Sequence, residues 1–319
     1  FLALERIRLL IREEGLSFEE ALEAARANNV FTTHTSVAAG IDLFPPGLMQ
    51  EYFSGYCAET GVEFERLMAL GRWDRHNSGE PFSMAILALR ASSLRNAVSR
   101  LHREVSQKMW SGLWPELPAW EAPITSITNG VHLRSWLNTD LTDLYDEYLR
   151  SDWRESCRDA KSWQAFDSIP DTELLEVHRR RKRRLVAFVR ERTAASATAR
   201  KAPAAEVRRL SQVLDPDALT LGFARRSATY KRSTLIFRDI ERLKRIFLNP
   251  QRPVQIVIAG NAHPQDEPGK QLILQIVRIS RDPELASRVV FVENYDMRLA
   301  RELVQGVDLH DEVVHRLMQ

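Results

Sequence analysis

Apolar residues recur at helical spacing at the start of the chain and then give way to a β-branched run. The pattern predicts an amphipathic helix over residues 2–14 that stops at Gly15. A second helix is predicted to open with a capping box formed by Ser17 and Glu20. The run from Val30 to Thr33 is β-branched and aromatic, which predicts a short strand followed by a polar loop.

The middle of the chain has a largely helical pattern. Residues 82–110 are apolar and periodic, which predicts a long helix with a break near Ser92 and Ser93. The run Ile124 to Ile127 predicts a strand, and the polar residues after it predict a turn.

A charged, helical pattern extends over residues 137–210. Within it, residues 193–205 are Ala-rich and polar and include Pro203. We expect this stretch to be a loose linker or a solvent-exposed hairpin, because it lacks an apolar face and contains a helix breaker.

The last third of the chain alternates apolar strands with helical segments. The predicted strands are Leu219–Phe223, Val254–Ala259 and Val289–Val292. The predicted helices between and after them cover residues 233–247, 272–279 and 299–304. This order predicts an α/β fold with a parallel, doubly wound sheet whose three strands are adjacent or nearly so. The loops after the strands should lie on one edge of the sheet, where ligands bind in such folds.

Composition narrows the class of protein. A chain of 319 residues suits two domains or one large α/β unit. Its net charge of +2 argues against nucleic acid as the partner. Cys57 and Cys157 have no neighbours at metal-ligand spacing, so we expect no metal site and a reducing, cytoplasmic location. No apolar run approaches the roughly 20 residues of a membrane span.

The strongest candidate chemistry follows the strand at Leu219–Phe223. Arg225 and Arg226 stand at the strand end and Lys231 opens the next helical segment, so positive charge gathers where a phosphate oxyanion could bind. A basic, solvated turn is an equally good interpretation of the spacing alone.

Two further loops contain groups that could hydrogen-bond a sugar. Asn129 lies in the turn after the strand at residues 124–127, and His34 follows the strand that ends at Thr33. On spacing alone, an Asn-Gly turn is more often only a turn, and a lone histidine is more often structural.

Six basic residues follow one another from Arg179 to Arg184. They could form a nucleic-acid or localisation patch. Apolar residues flank them at helical spacing and acidic residues lie close by, so the solvated face of an amphipathic helix is the favoured interpretation.

Together, these strings resemble the α-glucan (glycogen and maltodextrin) phosphorylase family, most strongly its bacterial branch. The matching segments, in family order, are Phe31–Thr35, Asn96–His102, Thr128–His132, Phe223–Arg226 with Tyr230–Arg232, and Glu293–Tyr295. The resemblance covers residues 1 to 308. It implies two Rossmann-like doubly wound units in a GT-B-type arrangement, with the site between them.

The family transfers a terminal glucosyl unit from an α-1,4-glucan to inorganic phosphate and so produces glucose 1-phosphate. It uses pyridoxal 5′-phosphate, whose phosphate group exchanges a proton with the substrate phosphate. By resemblance, Arg226 and Lys231 match the catalytic residues that hold the substrate phosphate, His34 and Asn129 match residues that contact the glucosyl unit, and Tyr295 matches a tyrosine beside the cofactor.

The resemblance also predicts domain limits and departures. Residues 1–136 match the later part of the glucan-side domain, residues 137–210 a helical, charged connecting region, and residues 211–308 the start of the cofactor and phosphate side. Residues 309–319 are a divergent tail where the segment before the cofactor lysine is expected. We therefore expect both units to be incomplete, as in an unfinished gene prediction or a degenerate copy, and the 319-residue chain alone to be inactive.

Alternative functions stay open. The chain could be a non-catalytic remnant or a glucan-binding piece. A nucleotide-sugar glycosyltransferase of the same architecture is less favoured, because no acidic residue is placed to bind a nucleoside ribose. We expect α-1,4-glucan and inorganic phosphate as partners, without nucleic acid or membrane. The glycogen or maltodextrin preference is open, and so is a homo-oligomeric state.

Overall fold

The computed structural model describes residues 1–35, 40–227, 231–264 and 266–310. The chain forms two compact units, Phe1–Val131 and His132–Gln319. Tyr230 and residues 311–319, on which part of the family resemblance and the divergent tail depend, lie outside the described residues.

The first unit combines helices with short strands. Its helices are α1 (Leu2–Glu14), α2 (Phe18–Asn28), α3 (Pro46–Thr60), α4 (Phe64–Ala69), α5 (Met84–Arg90) and α6 (Arg100–Trp110). Its strands are β1 (Val30–Thr33), β2 (Leu43–Phe44), β3 (Phe82–Ser83), β4 (Leu94–Ala97) and β5 (Thr125–Ser126). Strands β1, β4 and β5 form a parallel sheet in that order, and β2 pairs with β3 in antiparallel fashion.

The first two helices have the ends that the sequence predicts. Gly15 terminates α1 in the left-handed conformation with φ of 66°, where glycine is favoured. The Ser17 side chain accepts a hydrogen bond from the Glu20 backbone N–H, and the Glu20 carboxylate accepts one from the Ser17 N–H. The capping box is therefore confirmed. The apolar faces of these helices pack into a core that includes Leu4, Ile7 and Leu22.

The helical prediction for residues 82–110 is confirmed only in part: residues 84–90 and 100–110 are helical and Ser92 and Ser93 lie in the break between them, but the segment also contains two strands. The segment forms β3, α5, β4 and α6, and β4 is the central strand of the parallel sheet. The sequence of β4 contains neither β-branched nor aromatic residues, yet its Arg95 is buried. The Arg95 guanidinium donates hydrogen bonds to the backbone carbonyls of Leu89, Ser92 and Ser93, which replace its contacts with water. Tertiary contacts thus outweigh local propensity here.

The second unit has longer strands. Its helices are α7 (Leu133–Trp136), α8 (Thr139–Tyr148), α9 (Asp171–Ala199), α10 (Ala204–Leu210), α11 (Ile240–Phe247), α12 (Glu267–Ile279) and α13 (Met297–Gly306). Its strands are β6 (Leu219–Ala224), β7 (Val254–Ala259), β8 (Val289–Val292) and β9 (Leu309–His310).

The strands of the second unit form one parallel sheet in the order β8-β7-β6-β9. The predicted adjacency and parallel pairing of β6, β7 and β8 are confirmed. The chain first steps from β6 through β7 to β8 and then returns to add β9 on the other side of β6. This reversal is the topological switch point of a doubly wound sheet, and it lies between β6 and β9.

Apolar side chains cover both faces of this sheet. On one face, Val257, Val290 and Val292 pack against residues of α9 and α13, such as Leu185 and Leu303. The other face packs against α11 and α12; its core members include Phe223, Phe247, Ile256, Ile258 and Ile276. Coverage of both faces explains why the strand sequences are almost continuously apolar.

The loose linker predicted over residues 193–205 is wrong for its first half. Helix α9 continues to Ala199, with Thr193 and Ala197 buried, and only residues 200–203 separate it from α10. The alanines that make this stretch look featureless are strong helix formers. The charged helical region 137–210 belongs to the second compact unit. The chain is thus a mixed α/β protein with parallel sheets.

Candidate functional site

The carboxyl edge of the second sheet collects three polar loops. Arg225 and Arg226 directly follow β6, Asn261 follows β7, and Tyr295 follows β8. Because these strands are parallel, their carboxyl ends meet at one edge, as the sequence predicts. Arg226 is exposed and Arg225 is half-buried, so positive charge stands beside the switch point.

Hydrogen bonds join these loops into one row. The Arg225 backbone N–H donates to the Ala259 carbonyl at 3.3 Å, and the Ser227 N–H donates to the Asn261 carbonyl at 3.0 Å. The Asn261 side-chain amide in turn donates to the Tyr295 carbonyl at 3.2 Å. Asn261 therefore connects the loop that carries the arginines to the loop that carries Tyr295.

Gly260 is required for this close approach. A Cβ atom at that position would stand 2.1 Å from the Arg225 carbonyl oxygen, far inside van der Waals contact. Any larger residue would push the arginine loop away from the end of β7.

Arg192 of α9 holds the loop that carries Tyr295 in place. The Arg192 guanidinium donates to the Asn294 carbonyl and pairs with Asp296 at 3.0 Å. Asn294 adopts φ of 57°, a left-handed conformation that asparagine tolerates better than most residues. Asn294 and Tyr295 indicate a turn in the sequence itself. The contact with Arg192, about 100 residues away, cannot be predicted from the local sequence.

Lys231 is half-buried and lies at the far end of the loop that leaves β6. Two residues later, Ser233 is buried, and its hydroxyl makes no hydrogen bond with any residue that the structure describes. A buried hydroxyl without a partner is costly unless a ligand or water completes it. The segment therefore offers a donor that sequence reasoning did not identify.

The carboxyl edge of the first sheet presents neutral polar groups. His34 follows β1 and Asn129 lies three residues after β5, with β4 between these strands. The Asn129 backbone N–H donates to the Val98 carbonyl at 3.1 Å, which ties its loop to the end of β4. Both His34 and Asn129 are exposed. This edge could donate and accept hydrogen bonds with sugar hydroxyls.

The structure places the predicted residues in two groups. His34 and Asn129 belong to the first unit, whereas Arg226, Lys231 and Tyr295 belong to the second. The expectation that the site lies between the two units, with Arg226 and Lys231 in one cleft with His34 and Asn129, stays a prediction.

The predicted solvated face is wrong for two of the six consecutive basic residues. Arg181 is 5% exposed and lies 3.5 Å from Glu302 and 3.8 Å from Asp140. Lys182 is 7% exposed and pairs with Asp308 at 2.7 Å. Partners from distant parts of the chain make this burial possible, and local sequence does not reveal them.

The described ranges lack two other kinds of site. They contain no group of three or more His, Cys, Asp or Glu side chains arranged to hold a metal ion. Among the same residues, no helix combines the length and apolar character needed to cross a bilayer.

Comparison with known proteins adds independent information. Residues 2–315 match the family described as carbohydrate phosphorylase. The chain is 40% identical to the maltodextrin phosphorylase of Thermococcus litoralis over 297 residues, which is 93% of this chain and 34% of the relative. It is also 40% identical to the glycogen phosphorylase of Aquifex aeolicus over 309 residues, 97% of this chain and 44% of the relative. The glycogen phosphorylase of Mycobacterium tuberculosis matches at 40% identity, over 97% of this chain and 36% of its own length. The chain thus spans less than half the length of these relatives.

Proposed function

This chain belongs to the carbohydrate phosphorylase family, and we propose that its strand-end loops take part in phosphorolysis of an α-1,4-glucan. In this reaction a terminal glucosyl unit of glycogen or maltodextrin passes to inorganic phosphate, giving glucose 1-phosphate. The observation that carries the proposal is the cationic carboxyl edge of the second sheet, at its switch point. Arg225 and Arg226 lie there, in a loop joined by hydrogen bonds to the ends of β7 and β8.

The roles proposed for the cations follow from their chemistry. A guanidinium group binds phosphate oxygens through paired N–H donors, and an ammonium group acts as a compact charge. Arg226 and Lys231 would hold the substrate phosphate and stabilise the negative charge that accompanies transfer of the glucosyl cation. The link through Asn261 keeps the arginine loop in place, so less reorganisation is needed when phosphate binds.

The first sheet would supply the sugar contacts. His34 and Asn129 carry neutral groups at its carboxyl edge, and such groups match hydroxyls better than they match phosphate. We propose that the two units adopt the GT-B arrangement, in which both edges reach one anomeric carbon. Phosphorolysis requires this proximity, because the phosphate must meet the sugar in a near-attack geometry.

Pyridoxal phosphate is the cofactor of this family, and the residues at the second edge fit its anionic group. Arg225 and Arg226 provide positive charge there, and we propose that Lys231 and the buried Ser233 hydroxyl join them as further donors. When bound, the cofactor's phosphate supplies and accepts the proton exchanged with the substrate phosphate. This chain's residues would hold the two anions beside each other, with Tyr295 on the cofactor side.

The decisive experiment restores the length of a full relative. The 309 matched residues of the Aquifex aeolicus glycogen phosphorylase are replaced by this chain, and glucose 1-phosphate release from maltodextrin is measured with phosphate and pyridoxal phosphate. We expect cofactor-dependent product from the chimera and none from the 319-residue chain alone. A chimera that folds and binds the cofactor but forms no product would favour a non-catalytic remnant.

Phosphate affinity gives a second readout that needs no turnover. Isothermal titration of the 319-residue chain with inorganic phosphate should show weaker binding for Lys231→Ala than for the parent. Lys161→Ala removes an exposed lysine from the same unit and is the matched control. Equal loss in both variants would contradict a site at Lys231.

A further inference from the structure

Helix α9 presents an arginine face that the proposed function does not use. Arg179, Arg180, Arg183 and Arg184 are all exposed. None of the four forms an ion pair within 4.0 Å with any residue in the described part of the chain. The two basic residues between them, Arg181 and Lys182, point inward and are paired. The exposed members of the run are therefore all arginines.

Exposed arginines elsewhere in the described residues include some with acidic partners and some, such as Arg75 and Arg245, without one. Arg66 pairs with Glu19 at 2.7 Å, and Arg150 pairs with Asp152 at 3.0 Å. On α9, by contrast, like charges stand four residues apart at 179 and 183 and again at 180 and 184, an arrangement that destabilises a helix. An unfavourable arrangement of this kind suggests that the face serves binding rather than stability.

The face also has a concave part. Glu176, Arg179, Arg180 and Arg183 line a surface groove of about 300 Å³. Positions 179 and 183 are separated by one helical turn, or roughly 6 Å along the axis. Two guanidinium groups at this separation can bind neighbouring phosphate groups of one ligand molecule, each through paired N–H donors.

We propose that the arginine face of α9 binds a small anion that carries two or more linked phosphate groups. The planar guanidinium groups of these arginines favour phosphate, because their paired N–H donors match the spacing of phosphate oxygens. The face is too short to follow a nucleic-acid backbone, and the net charge of the chain is only +2. The groove suits a compact ligand, and its three lining arginines outnumber the one carboxylate, that of Glu176.

Isothermal titration with inorganic tripolyphosphate tests the proposal on the 319-residue chain at low and at physiological salt. The Arg226→Gln/Lys231→Gln background removes the candidate phosphate site, so binding that remains must lie elsewhere. In this background, Arg179→Gln/Arg180→Gln/Arg183→Gln should weaken binding by at least about tenfold. The matched control, Arg150→Gln/Arg154→Gln/Arg281→Gln, removes the same charge from exposed positions of the same unit and should change affinity less than about twofold.

Replacement of the same three arginines by lysine separates geometry from charge. We expect binding intermediate between the parent and the glutamine variant, because charge is kept but the paired donors are lost. The melting temperature should not fall in either variant, since these side chains are exposed.

Four outcomes would overturn the proposal. They are unchanged affinity in the α9 glutamine variant, equal loss in the control variant, equal affinity for inorganic phosphate and tripolyphosphate, and tighter binding of a short DNA duplex or of an acidic peptide. The last two would replace the linked-phosphate ligand with another class of anion.

Discussion

The first parallel sheet joins strands of two to four residues and buries polar side chains at its centre, whereas the second joins strands of two to six residues that are mostly apolar. In the first, Asn96 of β4 accepts a hydrogen bond from the Thr32 hydroxyl at 2.9 Å, and Arg95 is satisfied by backbone carbonyls. In the second, β6 and β7 pair over six residues between two apolar layers. The second sheet also buries one polar pair, in which the Gln255 amide donates to the Thr220 hydroxyl at 2.8 Å. The two sheets therefore differ in degree: side-chain hydrogen bonds contribute more to the first, and apolar burial contributes more to the second.

The two sheets also differ in the partners of their buried charged groups. The buried cation of the first sheet, Arg95, has only neutral hydrogen-bond partners in the described residues, together with the Trp114 ring at 5.4 Å. The second sheet has a partly buried ionic cluster at its amino edge, where Asp308 contacts His178 and the buried Lys182. The stability of the second unit should therefore depend on pH in the acidic range, and that of the Arg95 contacts should not.

The largest effect is expected from Asp308→Ala. Asp308 accepts hydrogen bonds from Lys182 and from the Thr220 N–H, both at 2.7 Å, so its loss leaves a buried ammonium group without a counter-charge. We expect the second unit to lose about 3 kcal/mol of unfolding free energy. Hydrogen exchange of the β6 amides measures this loss, and Asp152→Ala, in an exposed pair, is the control. A cost no greater than the control's would show that Lys182 finds another partner.

Lys231→Ala in the chimera tests the cationic edge. In the proposed site the Lys231 charge would act on both the substrate phosphate and the transition state, so KM for phosphate should rise and kcat should fall. We expect a decrease in kcat/KM for phosphate of about a hundredfold, typical for loss of one electrostatic group. Steady-state kinetics at varied phosphate concentration measure both kcat and KM for phosphate. If KM for phosphate stayed unchanged and only kcat/KM for the glucan fell, Lys231 would not belong to the phosphate site.

Acid should weaken the second unit through Asp308. Burial by itself raises the pKa of Asp308, but hydrogen bonds from His178, Lys182 and the Thr220 N–H outweigh it and lower the pKa from 3.8 to about 2. A carboxylate with a lowered folded-state pKa stabilises the fold above its unfolded pKa and loses that contribution as pH falls from near 4 to 2. We expect a loss of about 2 kcal/mol over this window. Denaturant titrations at pH 5 and pH 2.5 measure it, and Asp308→Ala should remove this part of the dependence.

Arg95→Met tests the neutral centre of the first sheet. Methionine keeps much of the side-chain volume but leaves the carbonyls of Leu89, Ser92 and Ser93 without their donor. Unsatisfied buried acceptors should cost about 2 kcal/mol in the first unit. Hydrogen exchange in β1 and β4 measures this change. A cost that varied between pH 5 and pH 2.5 would indicate an acidic partner for Arg95 and contradict the contrast between the sheets.

The same contrast explains what the sequence reveals. Strands β6, β7 and β8 are evident from their apolar runs, whereas the roles of Arg226, His34 and Asn129 rest on the family resemblance and stay predictions. Strand β4 is not evident, because the carbonyls that satisfy Arg95 come from the fold rather than from the strand's own residues. The contributions of Arg192 and Asn261 are hidden for a related reason, since their contacts include backbone carbonyls of a distant loop.

The smallest effect is expected from His34→Ala in the chimera. His34 would provide one neutral hydrogen bond to the glucosyl unit, and such a bond contributes less than a charge does. We expect kcat/KM for maltodextrin to fall about tenfold, with KM for phosphate nearly unchanged. His76→Ala removes another exposed histidine of the same unit and should have no effect. Together with Lys231→Ala, this variant separates the two edges. Changes at the first sheet should alter kcat/KM for maltodextrin, and changes at the second sheet should alter KM for phosphate. If His34→Ala instead raised KM for phosphate as much as Lys231→Ala does, the division of roles between the neutral and cationic edges would be wrong.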